Sequence, residues 1–132
     1  MRKLLLIVGL LVSIFSYSQE ETTFVMTTAK NEICKRTATK WITINRTYDD
    51  IEIEVRNGII YLDNNSAATY TPIANTSKQY KEDYEVLSVL CRDKKSNKCI
   101  FSMYKDDDGV FLCTVEYEDL KYFYYKYKWY TL

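Results

Sequence analysis

The stretch that most constrains the fold is a β-hairpin pattern between Ile51 and Asp63. Apolar and charged residues alternate up to Arg56, as in a strand with one buried face. Asn57-Gly58 follows, and both residues tolerate the positive φ that a type I′ turn requires. Such a turn sets Val55 opposite Ile60 and fixes the register. The predicted inward-facing residues are Ile51, Ile53, Val55, Ile60 and Leu62, and the outward-facing ones are Glu52, Glu54 and Arg56.

The composition is that of one ordinary globular domain, apart from its tyrosines. Hydrophobic residues make up 47% of the 132 and charged residues 27%, with only three glycines and one proline, which excludes collagen-like and low-complexity chains. Tyrosine occurs 13 times and histidine not at all. Without histidine there is no Ser–His or Cys–His nucleophile pair and no histidine metal site. The formal net charge is zero, so we expect no nucleic acid as a partner.

The N-terminus predicts export. Two cations precede an apolar run of 12 residues, Leu4–Phe15, and Ser16-Tyr17-Ser18 then places small residues at the −3 and −1 positions of a cleavage site. The apolar run is shorter than the about 20 residues that a membrane-spanning helix needs. We therefore predict a signal peptide at residues 1–18, a single β domain at residues 19–132, and a periplasmic or secreted protein without a membrane span in its mature chain.

Four cysteines follow the leader, an even number that is typical of disulfides in an exported chain. Placing Cys91 opposite Cys99 across a hairpin also sets the apolar residues of the two flanking segments against one another. We therefore predict a Cys91–Cys99 disulfide, which contributes about 2–3 kcal/mol in the chain-entropy treatment. A second disulfide, Cys34–Cys113, follows by exclusion.

The rest of the chain predicts short strands joined by tight turns. Asp107-Asp108-Gly109 predicts a three-residue loop with a bulge at Gly109, because glycine tolerates the left-handed conformation. One helical turn is an alternative for the polar segment Asn75–Lys81. The other predicted strands are Thr22–Ala29, Arg36–Arg46, Thr69–Ala74, Glu85–Cys91, Cys99–Lys105, Val110–Glu116 and Lys121–Trp129. About seven to nine short strands predict an all-β antiparallel meander, folded as a small barrel or a strongly curved sheet.

The strongest functional hint is the aromatic segment Lys121–Trp129. A strand cannot bury both faces of this segment unless the sheet is covered on both sides. We therefore predict that one face is an exposed aromatic strip with cationic neighbours, which suits a protein or glycan partner. The alternative is that the rings pack on the sheet with their hydroxyls at the rim. The predicted strip consists of Tyr122, Tyr124, Lys126 and Lys128.

Other chemistry has less support in the sequence. Asp106, Asp107 and Asp108 could bind calcium through their carboxylates, but turn chemistry explains each of them, and we predict no metal and no cofactor. Carboxylate pairs such as Glu52/Glu54 or Glu116/Glu118 could serve a hydrolase. Pairs at this spacing on strands more often mark a solvated face.

The segment Cys91–Cys99, the Asp108-Gly109 turn, the segment Val115–Asp119 and the pair Tyr124-Tyr125 together carry a resemblance. With the leader, this pattern resembles small exported proteins of Bacteroidetes-type bacteria. The resemblance transfers no catalytic or ligand-binding residue to this chain.

Three functional hypotheses follow from the sequence. The first is a non-enzymatic, disulfide-stapled β-protein that binds a partner through a sheet face or barrel mouth. The second is a carrier that resembles a calycin-like barrel with an apolar interior. The third is a hydrolase that uses paired carboxylates. A filled interior favours the first hypothesis over the second, and a hollow interior favours the second.

Overall fold

The computed structural model describes residues 22–62, 68–74 and 77–130. These residues form one antiparallel sheet of eleven strands, so the predicted all-β class is confirmed and the strand count is higher than predicted. The predicted signal peptide lies outside the described residues. The strands are β1 (Thr22–Thr27), β2 (Lys30–Arg36), β3 (Trp41–Thr47), β4 (Glu52–Arg56), β5 (Ile59–Leu62), β6 (Ala68–Pro72), β7 (Ser77–Tyr80), β8 (Glu85–Asp93), β9 (Lys98–Asp106), β10 (Gly109–Glu116) and β11 (Leu120–Tyr125).

The sheet curls into a half-barrel. Its strand order is β1-β4-β5-β6-β8-β9-β10-β11-β2-β3, and β7 pairs with β8 beside this path. Only Thr28 and Ala29 separate β1 from β2. This short corner connects β1, at one end of the strand order, with β2 and β3 at the other end. The Thr28 N–H donates to the Ile51 carbonyl and the Ala29 N–H to the Tyr125 carbonyl, both at 2.8 Å, which fixes the corner. Within the described residues, no helix has the length and apolar character needed to cross a bilayer.

The hairpin of β4 and β5 forms as predicted. Val55 pairs with Ile60 and Ile53 with Leu62 across β4 and β5. Asn57 and Gly58 take positive φ values of 51° and 78°, as a type I′ turn requires. The apolar side chains of this hairpin point into the concave face of the half-barrel.

The two later hairpins also take the predicted register, with one correction. Cys91 lies opposite Cys99 on β8 and β9, and Met103 lies opposite Cys113 on β9 and β10. The predicted three-residue loop Asp107-Asp108-Gly109 with a bulge at Gly109 is wrong, because Gly109 pairs with Asp106 and the irregularity falls between Val110 and Leu112 instead. The bulge there turns Phe111 to the convex face of the sheet, where it packs with aromatic rings. The helical alternative is wrong for Ser77–Tyr80, which is strand β7.

Both faces of the sheet carry a packed cluster. The inner cluster fills the concave face and contains, among others, Met26, Ile53, Ile60, Leu62, Cys91, Phe101, Cys113, Val115 and Tyr124. The outer cluster centres on Phe111, Leu112 and Tyr125, with further tyrosines packed against it. Residues 126–130 continue from β11 over this outer cluster, and the Lys126 N–H donates to the Phe111 carbonyl at 3.0 Å. Both faces of β11 are therefore covered.

The disulfide predictions are wrong, because all four cysteines are free thiols and buried. Cys91 and Cys99 do lie opposite one another, as the register argument required. Cys34 and Cys113 lie on opposite faces of the sheet. Cys113 belongs to the inner cluster. Cys34 is paired with Lys121 on β11, and the Lys121 ammonium lies 5.1 Å from the centre of the outward-facing Phe123 ring. Cys34 therefore faces outward. Assigning the second pair by exclusion ignored this alternation of faces along a strand.

We expect the Cys91, Cys99 and Cys113 thiols to be nearly inert in the native protein. Burial raises the pKa of Cys91 and of Cys99 to about 11, and it raises the pKa of Cys113 further. Because only the thiolate reacts, alkylation of these three thiols by iodoacetamide at pH 8 should be at least about tenfold slower in the native protein than in guanidinium chloride. Mass spectrometry should count four alkylated cysteines after unfolding without reductant. Two or fewer would mean that disulfides exist in the purified protein.

Candidate functional site

The predicted aromatic strip does not form one exposed surface. Tyr124 is only 8% exposed and belongs to the inner cluster, and Tyr122 is half-buried at the edge of that cluster. Strand β11 ends at Tyr125, so Lys126 and Lys128 do not continue its alternation. The strip prediction is therefore wrong in its exposure, because the sheet is covered on both sides, as the alternative interpretation required.

The two lysines of the strip lie beside other aromatic rings. The Lys126 ammonium lies 5.5 Å from the centre of the Tyr127 ring, and the Lys128 ammonium 5.6 Å from that of Tyr48. Trp129 is 77% exposed and stacks on Tyr127, with ring centres 5.2 Å apart. We call Tyr48, Lys126, Tyr127, Lys128 and Trp129 the C-terminal platform.

Tyr122 instead lines a pocket at one end of the concave face, which we call the mouth pocket. Its volume is about 510 Å³, within the about 300–1,000 Å³ that is usual for small-ligand sites. Strand β6, the turn between β8 and β9, the turn between β10 and β11, and strand β11 contribute its walls. The residues that define it here are Tyr70, Asp93, Lys94, Lys95, Tyr117 and Tyr122.

Asp93 is the hydrogen-bonding centre of the mouth pocket. Its Oδ1 accepts from the backbone N–H groups of Lys95 and Asn97, both at 2.9 Å, and its Oδ2 accepts from the Tyr117 hydroxyl at 2.8 Å. The first two bonds hold the turn after β8, in which Ser96 takes a positive φ of 67°. The third joins this turn to Tyr117, the first residue after β10. Asp93 therefore fixes the Tyr117 ring and the turn in one geometry.

The pKa values of Asp93, Tyr117 and Tyr70 all lie well away from neutral pH. Burial acts to raise the pKa of Asp93, but the hydrogen bonds from Tyr117 and from two backbone N–H groups outweigh it, so the pKa falls below its ordinary value. Burial, together with the bond to Asp93, raises the pKa of Tyr117. Burial also raises the pKa of Tyr70 to about 12. Asp93 is therefore a carboxylate, and both phenols are protonated, between about pH 5 and pH 9.

Tyr117 and Tyr122 form an aromatic wall of the mouth pocket beside Asp93, and Tyr124 supports this wall. The Tyr117 ring meets the Tyr122 ring edge-to-face, with centres 6.2 Å apart. Tyr122 in turn stacks on the buried Tyr124 at 6.5 Å and an interplanar angle of 8°. The exposed part of Tyr122 is thus backed by the inner cluster and is held in place before any ligand arrives.

The charges that line the mouth pocket balance. Asp93 and Asp119 supply two carboxylates, and Lys94 and Lys95 supply two ammonium groups. The pocket therefore gives no electrostatic preference for an anion or a cation. It combines aromatic surface with the fixed Asp93 carboxylate and the ammonium groups of the exposed Lys94 and Lys95.

The weaker sequence candidates do not assemble into a catalytic or metal site. The Asp106 carboxylate accepts from the Asp108 N–H at 2.9 Å, which is turn chemistry. Among the described residues, no three His, Cys, Asp or Glu side chains come together so that they could hold a metal ion. Glu116 is bound by Arg36 at 3.5 Å and Lys121 at 3.4 Å. Both carboxylate oxygens of Glu116 are therefore engaged in ion pairs.

Of Tyr70, Asp93, Tyr117 and Tyr122, sequence reasoning identified only Tyr122 as a binding residue. Tyr70, Asp93 and Tyr117 lie on β6, at the end of β8 and just beyond β10, and only the curl of the sheet brings them together. Asp93 falls between the predicted strands Glu85–Cys91 and Cys99–Lys105. The one signal available was the clustering of polar and aromatic residues at the ends of predicted strands.

Comparisons with known proteins add no family to this picture. No protein-family model, no curated protein and no solved structure matches the chain. The geometry of the described residues is therefore the basis for the functional conclusion.

Proposed function

We propose that this protein is a non-enzymatic binding protein of the periplasm or cell exterior that holds a neutral saccharide in the mouth pocket. The observation that carries the proposal is the 2.8 Å hydrogen bond between Tyr117 and Asp93 inside an aromatic pocket. A sugar ring presents apolar C–H groups on its faces and hydroxyls around its edge. Tyrosine rings match the faces, and the fixed Asp93 carboxylate and the lysine ammonium groups match the hydroxyls.

A neutral saccharide fits the pocket better than an anionic one. The two carboxylates and two ammonium groups of the lining cancel. Hydroxyls can donate to carboxylates and accept from ammonium groups, so a sugar can use both kinds of partner. Three of the about four lone-pair sites of the Asp93 carboxylate accept internal hydrogen bonds, so one remains for this role. Because the charge state of Asp93, Tyr70 and Tyr117 is constant, we expect the affinity to change little between about pH 5 and pH 9.

The packed interior favours this proposal over a carrier with a hollow barrel. Ile53, Cys91, Cys113 and Val115 are all inaccessible to solvent in the inner cluster. These side chains occupy the space that a calycin-like carrier would use for its ligand. The ligand of the proposed function therefore binds at the end of the concave face.

The C-terminal platform supports a second candidate function, which is the binding of a protein partner. Trp129 is the most exposed large hydrophobic residue of the described chain, yet it is held between the rings of Tyr127 and Tyr130. Exposed, ordered aromatic residues with cationic neighbours are typical of protein interfaces. This candidate retains Lys126 and Lys128 from the predicted strip.

The test is a calorimetric titration of the mature protein with cellohexaose, xylohexaose, mannohexaose and an oligogalacturonate. We expect at least one neutral hexasaccharide to bind, and the oligogalacturonate to bind no better. Asp93→Asn and Tyr117→Phe should each weaken that binding by roughly tenfold to a hundredfold, because each disrupts a charge-assisted hydrogen bond. Tyr122→Ala should weaken it at least as much, by removing the aromatic wall.

Trp129→Ala is the control, because it removes an exposed ring from the C-terminal platform and leaves the mouth pocket unchanged. Its saccharide affinity should equal that of the wild type. Circular dichroism melting curves would verify that each variant is folded. If no neutral saccharide binds, or if Trp129→Ala abolishes binding while Asp93→Asn does not, the mouth pocket is not the saccharide site.

A further inference from the structure

A second concavity, which we call the apolar cleft, lies elsewhere on the half-barrel. Its volume is also about 510 Å³, and it shares no lining residue with the mouth pocket. Along β8 the cleft extends to Val89, whereas the mouth pocket begins at Asp93, which is roughly 13 Å further along an extended strand. The residues that define it here are Val55, Ile60, Leu87, Val89, Phe101 and Met103.

The cleft lies beside the stretch of β8 where one pairing strand gives way to another. Strand β6 pairs with only the last residues of β8, from Cys91 to Asp93, and ends at Pro72. The Ile73 N–H then donates to the Leu90 carbonyl at 2.9 Å, and β7 pairs with β8 from Ser88 to Glu85. The inward-facing Leu87 and Val89 are half-buried, whereas Cys91, one step further on the same face, is inaccessible. Among the described residues, this end of the inner cluster is not covered.

The cleft is a true concavity with a deep floor. Ile60 and Phe101 form this floor and are 3% and 2% exposed. The half-buried Val55, Leu87, Val89 and Met103 line the cleft around them. A pocket of this size and depth suits a small molecule, whereas a protein partner usually needs a broader surface.

The lining restricts the chemistry of the occupant. Among the described residues that line the cleft, none is charged, and Ser88 supplies the only polar side chain. The Ser88 hydroxyl is bonded to the Ser102 hydroxyl at 2.8 Å on the convex side of the sheet. A charged ligand would therefore lose its hydration without gaining a partner. Met103 and Leu87 are flexible side chains that can adapt to different apolar shapes.

We propose that the apolar cleft binds a small, uncharged, apolar molecule, independently of the saccharide proposed for the mouth pocket. The driving force is the removal of apolar surface from water on both the ligand and the cleft. The two sites differ in chemistry, since one offers balanced charges and phenols, whereas the described side chains of the other are hydrocarbon and thioether groups apart from the Ser88 hydroxyl.

The test is a fluorescence titration of the mature protein with N-phenylnaphthylamine, an uncharged probe that brightens in apolar surroundings. We expect saturable binding of one probe per chain. Leu87→Asp places a carboxylate in the cleft and should weaken binding at least about tenfold. Ile100→Asp is the matched control, because Ile100 lies one residue before Phe101 on β9 but is 40% exposed on the convex face. It should leave probe affinity unchanged.

Further variants keep the proposal testable if Leu87→Asp fails to fold. Val89→Phe keeps the lining apolar but fills the cleft, and it should also weaken probe binding at least about tenfold. Asp93→Asn should not alter probe binding, which separates this site from the mouth pocket. The proposal is overturned if Leu87→Asp and Val89→Phe, both folded, bind the probe like the wild type. It is also overturned if ultracentrifugation shows a wild-type dimer that Leu87→Asp dissociates, because a second copy would then occupy the cleft.

Discussion

Replacing Glu32 by alanine should lower the free energy of unfolding by about 3–5 kcal/mol, because this change breaks a buried ion pair. Glu32 and Lys30 are each only 4% exposed on β2. The Glu32 carboxylate lies 4.0 Å from the Lys30 ammonium and accepts a hydrogen bond from Arg46 at 2.7 Å. Alanine at this position removes the carboxylate that compensates the buried charge of Lys30.

The Glu32 side chain also connects to the outer aromatic cluster. The Lys30 ammonium donates to the Tyr130 carbonyl and lies 4.5 Å from the centre of the Tyr125 ring. The segment that covers the convex face is therefore attached through the same ionic group. We expect the Glu32→Ala variant to lose both stability and the order of residues 126–130.

Urea denaturation monitored by circular dichroism measures this effect. Glu82→Ala is the control, because Glu82 is exposed, and we expect a change within about 0.5 kcal/mol. The double variant Lys30→Met, Glu32→Leu should be less destabilised than Glu32→Ala alone, since it leaves no uncompensated buried charge. A loss of less than about 1 kcal/mol for Glu32→Ala would mean that the pair is solvated in solution.

The second large effect is expected at Ile53, where alanine should cost about 2–5 kcal/mol. Ile53 is inaccessible to solvent and lies between Met26 on β1 and Leu62 on β5. Removing three carbons here leaves a cavity in the inner cluster that the surrounding strands can only partly close.

Ile44→Ala is the matched control for Ile53→Ala, because it makes the same chemical change on β3 at a residue that is 57% exposed. The expected change for Ile44→Ala is within about 0.5 kcal/mol. Both free energies would be measured by urea denaturation under identical conditions. Equal effects at the two positions would contradict the inward orientation of Ile53.

The hairpins could be predicted from the sequence because their information is local. Asn57-Gly58 specifies its own turn, and alternation of polarity specifies which side chains face inward. The register of β8 with β9 followed from the same reasoning, since apolar residues pair only when Cys91 is opposite Cys99. The disulfide did not follow, because opposite positions do not determine the oxidation state of the two thiols.

Strand β2 could not be predicted, because its buried residues are polar. Lys30, Asn31 and Glu32 are all buried, although they fall between the predicted strands Thr22–Ala29 and Arg36–Arg46. Their burial depends on partners that are distant in sequence: β11, β3 and the segment after Tyr125. Hydrophobic periodicity contains no information about such partners.

The site could be predicted only in part for a similar reason. Tyr122 was among the predicted binding residues, and it lines the mouth pocket. Tyr70, Asp93 and Tyr117 join it only because the sheet curls. Lys126 and Lys128 do not lie on the predicted face, because β11 ends at Tyr125.

The most direct test of the saccharide proposal is nuclear magnetic resonance of the isotopically labelled mature protein, titrated with a hexasaccharide that binds. The Asp93 carboxylate holds the backbone N–H groups of Lys95 and Asn97 at 2.9 Å. We therefore predict that the largest amide shift changes occur between Asp93 and Asn97 and at Tyr117, with little change at Gly58 or Trp129. Shift changes concentrated at residues 126–130, or near Gly58, with the Asp93 turn unmoved, would contradict it.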